Sequence, residues 1–337
     1  METKHRRPKA KRRKKRRIRW DRVILLLVIL ILLIFIIVKI VTKKDKDEEE
    51  ALQTGTEGVT DEAQAEQVIE PTEDEDIKQL INNIMTEKGL TENNFAFFYY
   101  NQDTKKYYFY NENKYFTAAS TVKVPVAMLY YDKINSGKLT LESTLKYTKD
   151  CYEAGGGTTA STYKVGSNIP IGFLLEQAIV NSDNTAVNIL IKNLGWDQYR
   201  VDMTKYTDEE VQPEFYDGNV TFAGYGYDLL TYLYNNKDSY LELIENMKKS
   251  SGGQYLKKYI TQYDVAHKYG SYNGNVHDYG IVFGETTYLI GVYTKGVTSA
   301  DELIADISQD VLNTVEGTDD TTESSNGNVT NETNTEV

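Results

Sequence analysis

Residues 120–134 read Ser120-Thr121-Val122-Lys123 followed by VPVAMLYYDKI. The apolar run predicts a buried helix, and the serine stands at its start. On a helix, positions i and i+3 share a face, so Lys123 lies beside Ser120 and can accept or relay its proton. A serine at a helix N-terminus also gains from the helix dipole and from free backbone N–H groups. The same S-x-x-K spacing recurs at Ser143–Lys146 and Ser161–Lys164. Only Ser120 opens a long apolar helix, the setting an activated nucleophile requires. The plain reading of the serine is a helix cap.

Two further tripeptide-scale signals follow. Ser182-Asp183-Asn184 interrupts two helical stretches, Ile171–Val180 and Asn184–Leu194. There Ser182 could pass a proton towards a leaving group and Asn184 could hydrogen-bond a substrate amide. All three residue types also favour helix N-caps. His267-Lys268-Tyr269-Gly270-Ser271 reads as a strand. Lys268 would supply a fixed cation for a substrate carboxylate, and Gly270 would let a substrate backbone lie against the strand edge.

Order and spacing join the three. S-x-x-K is followed by S-D-N 62 residues on and by K-x-G 86 residues later, the set found in serine β-lactamases and penicillin-binding proteins. The surrounding stretches AIVNSDNTAVNILI, VAHKYGS and VHDYGIVF…YLIGVYTKG resemble those of class A β-lactamases. The resemblance covers roughly residues 76–313. It implies that Ser120 attacks a carbonyl and becomes acylated, that Lys123 activates it, and that Ser182 shuttles a proton. It implies that Asn184 orients the substrate while Lys268, Gly270 and Ser271 bind it. The backbone N–H groups of Ser120 and Ser271 would form the oxyanion hole, with each donor contributing roughly 3 to 4 kcal/mol.

Two departures qualify this. Tyr269 stands where that family has a threonine hydroxyl that helps bind the carboxylate. The family's E-x-x-L-N glutamate, which holds the hydrolytic water, has no counterpart between Asn184 and Lys268. Glu209, Glu210 and Glu214 fall in roughly that loop but lack the following Leu-Asn. The expected function is a serine hydrolase that forms an acyl-enzyme on Ser120 and acts on β-lactams or D-Ala-D-Ala-type cell-wall peptides. The alternative is a catalytically silent peptidoglycan-binding module of the same fold.

Around these motifs the pattern predicts an opening helix through Ile77, Ile81 and Met85. A hairpin of Phe95–Tyr100 with Lys106–Tyr110 follows, and residues 222–248 read as more helix. Asp264–His267, Gly280–Phe283 and Tyr288–Tyr293 read as strands and Ala300–Val311 as a last helix. Strands at both ends and helices between argue α+β, an antiparallel sheet flanked by helices plus an all-helical lobe.

The chain carries a net charge of −12, unevenly spread. Residues 1–22 hold thirteen Lys/Arg against Glu2 and Asp21. They precede the apolar run 23–41, VILLLVILILLIFIIVKIV, long enough to span a bilayer. A basic block on this side places the N-terminus in the cytoplasm and reads as a topology signal rather than a nucleic-acid arm. The span is followed by Thr42-Lys43-Lys44 rather than small residues, so an uncleaved signal anchor is expected. That puts the catalytic domain outside the cytoplasm. Residues 42–74 read as an acidic disordered stalk, 75–314 as the hydrolase domain, and 315–337 as a disordered acidic tail. A single cysteine, Cys151, excludes an internal disulfide, and reads as a packed small hydrophobe. With no paired Cys/His and no H-E-x-x-H, neither metal nor cofactor is expected. The sequence gives no oligomeric state.

Overall fold

The computed structural model describes residues 69–317, apart from 155 and 251–253. The basic arm, the apolar run, most of the stalk and nearly all of the tail lie outside the described residues. No helix among those described is long and apolar enough to cross a membrane.

The first helix, α1 (Glu75–Lys88), starts where the Asp74 carboxylate accepts from the Ile77 N–H, and it stops at Gly89, whose φ is 64°. These are the expected N-cap and left-handed C-cap. Strands β1 (Phe95–Asn101) and β2 (Lys106–Tyr110) form a hairpin. Helix α2 (Lys123–Asn135) leads into a helical lobe of α3 (Ile171–Val180), α4 (Asn184–Leu194), α5 (Trp196–Asp202), α6 (Ala223–Asn235) and α7 (Leu241–Lys248). The chain then returns to the sheet as β3 (Asp264–Tyr272), β4 (Asn275–Phe283) and β5 (Thr287–Lys295), and closes with α8 (Ala300–Glu316). The sheet order is β2-β1-β5-β4-β3, with Thr72–Glu73 as a short strand outside β2. Pairing is antiparallel throughout except at Thr72–Glu73, which runs parallel to β2.

Side chains alternate across a strand, and β1 shows what that does when both faces are covered. Phe95, Phe97 and Tyr99 join one core with Ile77, Ile81, Ile304 and Val311 of α1 and α8. Ala96 and Phe98 join the other, with Val124, Leu190 and Leu229 of the helical lobe. Two cores therefore lie on the two faces of one sheet. Cys151 is buried in the second.

Both strands run past their expected limits: β3 continues one residue beyond Ser271 to Tyr272, and β4 begins five residues early, at Asn275 rather than Gly280. They turn at Asn273-Gly274, with φ of 49° and 76°. Positive φ at both central residues marks the hairpin turn that Asn-Gly favours. Strand β3 is the sheet edge, so one side of its backbone has no strand partner. That edge faces the turn carrying Ser120.

Candidate active site

Ala119–Val122 form a turn of 3-10 helix before α2 begins, so Ser120 sits in a tighter turn than the α-helix expected from sequence. In a 3-10 turn, side chains at i and i+3 eclipse. Lys123 Nζ accordingly lies 2.9 Å from Ser120 Oγ. Ala119 holds φ at 51°, a left-handed conformation unusual for alanine. The turn is pinned by the Thr121 hydroxyl donating to Ala118 O at 2.7 Å, and by the Tyr279 hydroxyl donating to Thr121 O at 2.9 Å.

The S-D-N tripeptide divides its labour. Asp183 is the N-cap of α4: one carboxylate oxygen accepts from the Ala186 N–H at 3.0 Å, the other from the Thr159 N–H at 2.8 Å. Its neighbours face Lys123. The ammonium is 2.7 Å from Ser182 O, 3.1 Å from Ser182 Oγ and 2.8 Å from Asn184 Oδ1. Ser182 adopts φ of 54° to do this. An earlier loop fits closely against Asp183: a Cβ on Gly157 would stand 2.2 Å from Asp183 Oδ2, so only glycine leaves room for that carboxylate.

On the opposite wall, Lys268 reaches from β3 to within 3.1 Å of Ser182 Oγ and 3.0 Å of Tyr269 O. Both lysines are buried, Lys268 completely. Burial depresses the Lys123 ammonium to about 8, against partial compensation from Asp183 and Glu153. Burial, with Lys123 adding like-charge repulsion, holds Lys268 well below the usual lysine range. Both shifts penalise the charged form. A neutral Lys123 fits its partners: two N–H groups donate to Ser182 O and Asn184 Oδ1, and the lone pair is left for the Ser120 hydroxyl.

Gly270 contributes differently from expectation. A Cβ there would stand 2.9 Å from Ala118 O and from Ser120 N. The space that its missing side chain leaves is filled by the nucleophile's own turn. The strand edge thus lies directly against Ser120, with Ser271 following it at the cleft.

The cleft holds about 360 Å³ and is lined by Ser120, Lys123, Asn184, Ser271, Glu153 and Asn188, among others, with Trp196 and Tyr272 also on its walls. Four of the seven residues singled out from the sequence line this cleft, and Ser182, Lys268 and Gly270 lie behind them, in contact with Lys123, with Ser182 and with the Ser120 turn respectively. A somewhat larger hollow of about 430 Å³, between Lys88 and Asp306, has no serine–lysine pair. Glu153 and Asn188 were not anticipated. Asn188 is one turn along α4 from Asn184, and its amide donates to Glu153 Oε2 at 2.9 Å. The Glu153 backbone is tied to the Thr185 hydroxyl by two hydrogen bonds. Helical spacing could have found Asn188 on the Asn184 face; no local signal points to Glu153. Glu209, Glu210 and Glu214 are exposed and do not line the cleft. His267 and His277 are strand residues, as expected. His267 pairs with buried Asp278 at 2.7 Å, and burial lowers His277 to about 4.

A family model described as the β-lactamase enzyme family matches residues 76–315. The chain belongs to that family. It is a β-lactamase-like serine hydrolase. Among solved structures it is similar to PBP-A, with 22% identity, 74% of this chain and 99% of that one covered, and a TM-score of 0.65. It is also similar to the TLA-1 extended-spectrum β-lactamase (19%, 72% and 98%, TM-score 0.63) and to a β-lactamase from Sphaerobacter thermophilus (18%, 72% and 97%, TM-score 0.61). At these identities the likeness establishes the fold. No curated protein matches the chain.

Proposed function

We propose that this β-lactamase-family protein forms an acyl-enzyme on Ser120 and hydrolyses β-lactams or D-Ala-D-Ala-type cell-wall peptides. The observation that carries this reading is Lys123, set between the Ser120 and Ser182 hydroxyls. Neutral Lys123 takes the Ser120 proton as Oγ attacks the carbonyl carbon. The proton then passes through the Ser182 hydroxyl to the leaving nitrogen as the C–N bond breaks. The N–H groups of Ser120 and Ser271 hold the oxyanion, and Asn184 orients the substrate. Fold relatives offer a precedent, since a PBP-A variant is known as an acyl-enzyme complex with penicillin G.

For the second half-reaction the reading assigns Glu153 as the base. It is the acidic side chain on the cleft wall, and Asn188 holds its carboxylate. Water attacks the ester carbonyl and gives its proton to Glu153; that proton then returns through Lys123 to Ser120 Oγ as the acyl–oxygen bond breaks. The chain is further proposed to be a single-pass membrane protein. The apolar run 23–41 would anchor it with its basic arm in the cytoplasm and residues 75–314 outside.

The test is a time course of fluorescent-penicillin labelling of the full-length chain, with Ser120→Ala alongside. The expected result is an adduct on the native chain and none on the alanine variant, with both equally folded. Equal labelling of the two would refute Ser120 as the nucleophile.

A further inference from the structure

Two of the three N–H groups of the Lys268 ammonium are engaged, and an aromatic face covers it. It hydrogen-bonds Ser182 Oγ at 3.1 Å and Tyr269 O at 3.0 Å, and it lies over the Tyr269 ring, 4.2 Å from the centroid. An ammonium carries three N–H groups, and a cation over an aromatic face is held by the ring quadrupole. Lys268 is 0% exposed. Nothing of this cation is presented to an incoming carboxylate.

Tyr269 is itself fixed. Tyr255 stacks on it at 4.8 Å with the rings 10° from parallel. Tyr255 is held in turn by its neighbour: Leu256 is fully buried, and its N–H donates to Asp278 Oδ2 at 3.1 Å. The two rings form a braced cover over the ammonium. A threonine at 269 would leave that ring volume empty and present a short hydroxyl instead.

We infer that Tyr269 is a specificity-determining residue that closes the anion subsite at Lys268, so that acylation gains nothing from a carboxylate beside the scissile bond. Lys268 then acts inward, orienting the Ser182 hydroxyl for proton transfer. Donors whose carboxylate is amidated or esterified then react as well as the free acids. The carboxylate-binding role that the resemblance gives Lys268 is thereby replaced in this chain. The inference rests on the acyl-enzyme reading above.

The experiment compares a penicillin with its neutral methyl ester as acylating agents of the full-length chain and of Tyr269→Thr. The quantity read is the ratio of second-order acylation rates, acid over ester. In the native chain the ratio should lie within about threefold of one, and in Tyr269→Thr it should rise tenfold or more. Comparing two reagents on one protein cancels any general loss of folded enzyme. A native ratio of ten or more, or an unchanged ratio in Tyr269→Thr, would overturn the inference. A neutral fluorophosphonate serves as a separate check on Ser120. If neither it nor either penicillin labels Ser120, the acyl-enzyme reading itself has failed. If it labels Ser120 and the ratios disagree with expectation, only the role of Tyr269 has.

Discussion

A methyl group placed on Gly270 would stand 2.9 Å from the backbone nitrogen of Ser120. The sheet edge and the nucleophile's turn are thus in backbone contact, and either can move only if the other does. Gly270→Ala should push the Ser120 turn away from the oxyanion position. Overpacking of this kind costs about 1–3 kcal/mol, so a modest fall in the urea midpoint is expected. The fall in acylation rate should be much larger, at least a hundredfold, because transition-state alignment is lost. Equal labelling by wild type and variant would show that the contact does not position the serine.

Acylation should depend on pH through Lys123. With its ammonium lowered to about 8, the neutral base increases through neutrality and saturates above that point. Initial labelling rates at fixed probe concentration should rise close to tenfold per unit between pH 6 and 7.5 and level off near 9. A flat profile would remove Lys123 as the base. Stability should follow the same residue. The unfolded lysine stays protonated up to its usual value near 10.5 while the folded one releases its proton near 8. The unfolded state therefore binds more protons between these values, and stability rises with pH across that window. Lys123→Met should weaken the rise in denaturant titrations.

Asp183 holds the start of α4 and the Thr159 backbone with separate oxygens. Asp183→Ala should cost about 1 kcal/mol for the lost cap and another 1–3 kcal/mol for the buried N–H of Thr159 left without an acceptor. Asp183→Asn keeps one acceptor oxygen and should cost less. Equilibrium unfolding in urea checks both. An alanine variant as stable as wild type would show the carboxylate to be dispensable to the fold.

Glu153→Gln should leave the labelling rate within about twofold of wild type and lengthen the life of the adduct at least about a hundredfold, following the usual size of a general-base contribution. The measurement is loss of fluorescence from the protein band after excess penicillin is removed. If the adduct disappears as fast as on wild type, the water is activated by another group, with Lys123 the next to test.

The motif residues were legible because each rests on local chemistry and their order along the chain joins them. The ends of α3 and α4 fall where Asn181-Ser182-Asp183 interrupts the helical pattern, since Asp183 is a cap that any sequence reading weighs heavily. The start of β4 was less legible. Asn275–Tyr279 does not alternate apolar with polar cleanly, whereas the His267–Ser271 motif carries β3 to within one residue of its end. Glu153 was invisible for a different reason. It reaches the cleft from a loop that only tertiary packing against Thr185 and Asn188 brings there. The part played by Gly270 also needed coordinates, because sequence can suggest that a glycine admits a close neighbour but not which neighbour it is.

Ser120, Ser182 and Lys268 come from three distant parts of the chain and meet where the helical lobe abuts the sheet edge. No fragment holding one or two of them can assemble the proton path. Under the proposed acyl-enzyme chemistry, covalent reactivity at Ser120 would therefore be a readout of completed tertiary structure. The fraction of molecules that capture a saturating pulse of probe counts those that have folded. A population kept partly unfolded by heat or by a distant core mutation should lose labelling in step with its loss of native molecules, which makes the nucleophile a built-in reporter of folding yield.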